Sequence, residues 1–404
     1  MRRATFLTTD DSVAFYLANT KPARTICIVP KPVGLASVPA VRSEYDAAMG
    51  DDLPGFRLRE LAPDDGPAIA RLFDASPDTG MIRFRPTFQV DPYVALTYDG
   101  KQAGVVVERD GTAGPPGVVG LGLVELGDVV LRGRPSRYAL LHSLVVHPDV
   151  RRRGIARVIV DWRLARARAA LGEDAVIAAT IQKSNAGSFA AAGRWATQFS
   201  APISSIAMGL PSSAPAERDG WQVRIASPDD LETYAAAYSA FHADFDLWPP
   251  GDAATLAEWL GLTPVPGARA NDLWVVADGR GELLAGIGTT EVRRSSILHV
   301  DRMPLSMRLL DAIVHVVPRG GAMEMVRLGR MWFRPEAEDA ARHLFARVRW
   351  EARSRGNVVA ASYDERGPAG RIIRPPRWLA RTSFSLALRA PDELRPDHPI
   401  EPVQ

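Results

Sequence analysis

The segment Leu144-Val-Val-His-Pro-Asp-Val-Arg151-Arg-Arg-Gly154-Ile-Ala156 holds the residue types and spacing best suited to chemistry in this chain. An apolar run closing on a proline, then a loop with one glycine and a new apolar periodicity, marks a strand-to-helix junction. Free amides and the helix dipole favour an anion there. Gly154 and Ala156 let a phosphate approach the backbone, and Arg151, Arg152 and Arg153 add charge-assisted hydrogen bonds. A pyrophosphate suits that combination. The bland alternative is a solvated surface turn, which an arginine-rich helix start also makes.

Holding such a loop in place requires a strand before it and a helix after it. Alternation predicts a strand over 139–146 and another over 175–181, and 3.6-residue periodicity predicts a helix over 155–171. Ile155, Val158, Ile159, Trp162, Ala165 and Ala169 would share one face of that helix. The second half offers the same order: strand 325–333, helix 338–352, strand 357–361. Phe56-Arg-Leu-Arg-Glu-Leu-Ala-Pro-Asp-Asp also reappears in outline at Trp221-Gln-Val-Arg-Ile-Ala-Ser-Pro-Asp-Asp. Each copy reads as a strand entering a helix start that acidic side chains can cap. Asp91-Pro-Tyr-Val-Ala-Leu before Asp99-Gly100 parallels Asp272-Leu-Trp-Val-Val-Ala before Asp278-Gly279, and each reads as a strand entering a tight turn. The chain is therefore expected to be a duplicated α/β protein. Its predicted divisions are an extension over 1–54, a first domain over 55–210, a Pro/Ser/Gly-rich linker over 211–220, a second domain over 221–390 and a polar tail over 391–404.

Composition narrows the partners. The 404 residues are 46% hydrophobic and 24% charged with a formal charge of only +2, so no global field points to nucleic acid or membrane. The single cysteine, Cys27, excludes an internal disulfide framework and reads as an inert thiol. With no apolar run long enough to span a bilayer and no signal-peptide pattern at Met1 to Asp11, a cytoplasmic location is the default. The seven histidines lack metal-ligand spacing, so no metal is expected.

Arg151, Gly154 and Ala156, following an apolar strand that ends in proline, resemble the Arg/Gln-x-x-Gly-x-Gly/Ala signature of the GNAT superfamily of N-acetyltransferases. Ala175 to Ile181 is similar to that family's fifth strand, and Asn185-Ala-Gly-Ser188 to the helix start that follows it. The resemblance covers about Phe56 to Ser200. It implies a fold class of α/β (α+β) mixed sheet, here as two GNAT-like domains in tandem. Each would be a mostly antiparallel sheet with a splayed central strand pair flanked by helices. It also implies acetyl-CoA as co-substrate and an amine, on a small molecule or a protein, as acceptor. Leu144, Val145 and Val146 would bind pantetheine and polarise the thioester carbonyl, the segment Arg151, Arg152, Arg153, Gly154, Ile155 and Ala156 would hold the pyrophosphate, and Asn185 and Ser188 would contact the carrier as well.

Direct attack by an amine on a thioester needs a base, for which Glu125 and His142 are the candidates. Each has a structural alternative, a solvated carboxylate for Glu125 and a satisfied core imidazole for His142. The family often places a tyrosine seven residues after the asparagine to protonate the thiolate. Ala192 stands there, leaving Ser188 or solvent as the acid. In the second half Glu338, Ala341 and His343 occupy the places of Arg151, Gly154 and Ala156, which reads as a degenerate copy without a phosphate site. Phe241, Phe245, Trp248 and Trp259 in that copy read as core, or as an acceptor pocket. Three functions compete: an acetyltransferase, an acyl-CoA sensor without turnover, and an aminoacyl transferase like the tandem-GNAT peptidoglycan-bridge enzymes. The last group generally lacks this loop.

Overall fold

The computed structural model describes residues 53–77, 82–111, 117–305, 307–308, 317–318, 320–376 and 378–401, and two short paired strands, Thr8–Thr9 and Ser12–Val13. Apart from those four residues, the expectations for Cys27 and for the rest of residues 1–52 lie outside the described residues.

The first half runs β1 (Phe56–Glu60), α1 (Gly66–Ala75), β2 (Arg83–Phe88), α2 (Pro92–Thr97), β3 (Gln102–Arg109), β4 (Gly117–Leu131), β5 (Arg134–Val146), α3 (Ile155–Leu171), β6 (Val176–Gln182), α4 (Ala186–Ala192), β7 (Gln198–Phe199) and β8 (Ile203–Gly209). The second half runs β9 (Trp221–Ile225), α5 (Leu231–Phe241), α6 (Ala253–Gly261), β10 (Asn271–Asp278), β11 (Leu283–Glu291), β12 (Ser296–Arg302), β13 (Ala322–Met323), β14 (Met325–Phe333), α7 (Glu338–Glu351), β15 (Val358–Asp364), α8 (Ala369–Ile373) and β16 (Arg381–Arg389). Among the described residues no helix is long and apolar enough to cross a membrane.

The repeated Pro-Asp-Asp motif forms the same ionic corner twice. Asp65 accepts the Ala62 amide at 2.8 Å and both terminal nitrogens of Arg59, at 2.8 and 2.6 Å. Asp230 does the same for Ser227 and Arg224. One carboxylate thus satisfies an orphan amide at the helix start and fixes the strand that leads into it.

One 13-stranded sheet holds both halves, in the order β9-β10-β11-β14-β15-β8-β16-β6-β5-β4-β3-β1, with β7 on β16. The last strand of each half is exchanged. β8 pairs antiparallel with β15 of the second half, and β16 pairs antiparallel with β6 of the first. A smaller sheet, β13-β12-β2, also joins the halves. The segment from Pro391 carries the polar composition expected of a tail but is anchored as far as Glu401. Arg395 meets the fully buried Asp246 at 2.9 Å, the Leu394 amide binds Gln198 and the Ile400 amide binds Asp364.

Two expectations need correcting. Residues 92–97 form helix α2, because Asp91 accepts the Tyr93 amide as an N-cap and Pro92 takes the first helical turn. Their apolar run is short enough to read either way, and the counterpart of β10 is β3 instead. On α3 the buried face is Ile155, Val158, Ile159, Val160, Arg163, Leu164 and Ala167, while Ala169 is exposed and Trp162 and Ala165 are half-buried. Each fully buried aliphatic there contributes roughly 1.5–3 kcal/mol. Arg163 sits in the same stripe as a charge, which calls for partners.

Candidate active site

The parallel pair β5 and β6 matches Tyr138 with Val176, Ala139 with Ile177 and Leu140 with Ala178, and then separates. From Leu141 to Val146 the β6-facing side of β5 has no strand partner among the described residues. A bulge sets the direction of this free stretch. The β4–β5 register shifts between Leu121/Val145 and Leu123/His142, and Ser143 takes a left-handed φ of 51°. The second half repeats the device: β14 and β15 part after Leu328/Ala361, the β11–β14 register shifts at the matching place, and Arg330 has φ 50°.

Arg163, which the sequence reading missed, anchors the first bulge. Its Nη1 donates to the carbonyls of His142 at 3.0 Å and Leu123 at 3.4 Å, and burial lowers its pKa to about 10. Gly122 makes room: a Cβ there would stand 2.2 Å from Ile159 and 3.2 Å from Arg163. An arginine interrupting an apolar stripe was the available signal.

Beyond the free strand, Pro148–Val150 form one 3-10 turn whose Val150 is buried, and Arg151 Nε donates to the Val146 carbonyl at 3.2 Å. Arg152 (φ 65°) and Gly154 (φ 87°) both take left-handed conformations, so the chain turns into α3 with the amides of Gly154, Ile155 and Ala156 unbonded among the described residues. Such amides at a helix N-terminus favour an anion.

A cavity of about 560 Å³ opens at this turn and runs between α3 and α4. Ala156, Val160 and Leu164 line one wall, and Gly187, Ala190 and Ala191 the other. Of the residues expected to bind a carrier, Val146, Arg151, Arg152, Gly154, Ile155 and Ala156 line it. Leu144 and Val145 pack instead against the α3 and α1 sides of the sheet, and Arg153 points to solvent. Asn185 caps α4 by accepting the Ser188 amide at 3.0 Å; neither residue lines the cavity. In the second half, α8 occupies the place of α4 and presents Ile372 and Ile373, both buried in the core with Tyr363 and Leu379. Glu338 there binds Arg342 and Arg371, so the arginine-rich loop has an acidic, self-paired counterpart. Phe245 and Trp248 are buried in core, with Phe241 and Trp259 packed against it.

The two candidate bases lie on the opposite face of β4 and β5 from α3, linked through Gln102. Gln102 Nε2 donates to Asp99 at 3.3 Å, which leaves its Oε1 to accept from His142 Nε2–H at 2.7 Å. His142 Nδ1 then accepts from the Ser143 hydroxyl at 3.0 Å. Burial, with the nearby Arg163 cation, lowers the His142 pKa to about 4, so the ring is neutral. Glu125 is half-buried and its pKa is raised, by burial first and then by the Asp99 charge, against a Gln102 hydrogen bond and the cations Lys101 and Arg327. Arg327 belongs to β14, so the second half contributes to the surroundings of Glu125. Among the described residues, no group of three or more His, Cys, Asp or Glu side chains converges to hold a metal.

Residues 70–194 match the family model described as the acetyltransferase (GNAT) family. No curated protein matches the sequence. The structure is similar to Saccharomyces cerevisiae N-myristoyltransferase with bound myristoyl-CoA, at a TM-score of 0.57 and 12% identity over 86% of each chain. It is also similar to a GCN5-related N-acetyltransferase from Sphaerobacter thermophilus, at a TM-score of 0.51 and 18% identity over 85% of this chain and 98% of that one. At these identities the likeness establishes the fold, a mixed α/β sheet of GNAT type.

Proposed function

We propose that this chain, whose residues 70–194 match the model of the acetyltransferase (GNAT) family, moves an acetyl group from coenzyme A to an amine acceptor by direct attack. The observation that carries this reading is the open β5–β6 splay, continuous with an arginine-lined cavity at the start of α3. A pyrophosphate fits the unbonded amides and the guanidinium groups of Arg151 and Arg152, and the free β5 edge beyond Leu140 suits an extended pantetheine arm. The bound thioester supplies an activated acyl carbon.

In this scheme the amine nitrogen bonds to that carbon, the C–S bond breaks with its electron pair on sulfur, and Glu125 takes the proton released from nitrogen. A carboxylate with a raised pKa in a half-buried site is a better proton acceptor than an ordinary one. His142 is the weaker candidate, because its pKa near 4 gives it little affinity for a proton and its Nδ1 lone pair is engaged by Ser143. We read His142 and Gln102 as positioning residues. Ala192 is buried and offers no hydroxyl, so the thiolate takes its proton from solvent.

Titration calorimetry with acetyl-CoA, run on the parent and on Gly154→Glu, tests the site. Gly154 holds a left-handed turn that a side chain strains, and a carboxylate there repels phosphate. Binding by the parent and its loss in the variant are expected; a parent that does not bind would overturn the reading. A second reading, an acyl-CoA sensor without turnover, is favoured by the missing tyrosine hydroxyl alone. Release of free thiol from bound acetyl-CoA in the presence of an amine panel separates the two.

A further inference from the structure

Glu125 and Arg327 come from different halves and emerge on the same face of the large sheet. Glu125 lies between Val124 and Leu126, both in the core beneath α3, and Arg327 lies between Val326 and Leu328, both in the core beneath α7. Alternation turns each charged side chain to the opposite face. The exchanged strands make it one face, because Ile206 of the α7 core is the register partner of Arg381, an even number of residues before Ala387 of the α3 core. On this face the strands between the two residues carry small side chains that leave room above them. Ser205 and Ala207 on β8 and Ala360 and Ser362 on β15 are all half-buried. Across this floor the Arg327 charge reaches the first half. Burial raises the pKa of Glu125 and of Tyr98, at the end of α2, and the Arg327 cation opposes the rise at both.

Arg327 has no acid of its own. Among the described residues it makes no ion pair or side-chain hydrogen bond. Its cross-strand partners are Thr290, whose hydroxyl is bound to Asn271 at 2.8 Å, and Ala360. Arg330 on the same strand rests instead on the Trp259 ring, at 4.9 Å. A half-buried guanidinium without a counter-charge loses hydration uncompensated, and a carboxylate answers it best, with two parallel hydrogen bonds. Glu125 and Asp99, by contrast, draw the amine end of an acceptor. We propose that the acceptor is an amine that also carries a carboxylate, its nitrogen placed at Glu125 and its carboxylate on Arg327. The two halves thus read the two ends of an amino acid between them. The proposal rests on the acetyltransferase reading above and names the class of its acceptor.

Acetylation of several amino acids, each paired with its own carboxamide, and of simple amines decides it in the parent, Arg327→Gln and Arg327→Lys. The ratio of kcat/KM for acid and amide, compared among the three proteins, cancels the different basicity of the two amines. It should fall by about tenfold or more in Arg327→Gln, through a higher KM for the acid, as loss of a charge-assisted pair warrants, and Arg327→Lys should keep part of it. Arg327 does not line the carrier cavity, so the affinity for acetyl-CoA should equal the parent's, which also certifies the fold of each variant. An Arg327→Gln variant that keeps the parent's ratio, even while slowing both acceptors alike, overturns the proposal and makes Arg327 a neighbour of Glu125 and no more. So does a parent that acetylates amides or simple amines but no amino acid, and in both cases the acetyltransferase reading stands. A parent that binds acetyl-CoA and acetylates none of the panel removes the reading and the proposal together.

Discussion

Glu125 and His142 show how one buried network separates two groups that sequence alone treats as equals. Both were legible as titratable residues on adjacent strands. Their difference comes from Gln102, Asp99 and Arg163, whose positions depend on the register of three strands and the phase of α3, which the pattern alone did not reveal. As a base Glu125 works ionised, and its pKa lies above the usual 4.5, so kcat should fall as pH drops through that raised value. An acceptor whose amine is neutral throughout isolates this limb from titration of the substrate. Glu125→Gln should lower kcat by about 10²–10⁴-fold, the usual worth of a general base, and abolish the acid limb. The variant's affinity for acetyl-CoA should be unchanged, since Glu125 does not line the cavity. Steady-state rates across pH with parallel calorimetry test this; a variant with the parent's kcat would remove Glu125 from the chemistry.

At the scale of elements, β5, the arginine loop, α3 and β6 were readable because each carries its own periodicity and the loop its own turn residues. Helix α2 was misread because six residues fit either period, and the cap at Asp91 decided it. The role of α4 was only half visible. Its asparagine cap could be read, but that Gly187, Ala190 and Ala191 form a wall depends on the cavity across from them. The contrast with Ile372 and Ile373 on α8 makes small side chains the condition for an open groove. Ala190 is exposed to the cavity, so Ala190→Leu should cost little stability, within about 0.5 kcal/mol for a surface position. It should also weaken coenzyme A binding at least about tenfold. Calorimetry alongside thermal melting separates the two effects, and an unaltered affinity would mean that the ligand does not lie between α3 and α4.

For the molecule as a whole, the repeats reveal which strands exist but not whose neighbour each becomes. β6 offers the same ladder of amides and carbonyls to β8 as to β16, and only the assembled sheet shows that it takes the latter. Whether 55–210 and 221–390 act as separable domains is therefore a question of edges. Produced alone, residues 53–210 leave the β6 edge bare and β8 without a partner, a condition that invites aggregation. We expect that fragment to be insoluble by itself, and soluble and competent to bind coenzyme A when co-produced with residues 211–401. A soluble, ligand-binding fragment without its complement would show the halves to be independent.

The exchanged strand also imposes a schedule on synthesis. β6 leaves the ribosome roughly 200 residues before β16, an interval of about 10–40 s at 5–20 residues per second. Through that interval the nascent first half holds its arginine loop but lacks an edge partner for β6. A polypeptide terminated before β16 would therefore keep the loop beside a bare strand edge, the condition that invites aggregation.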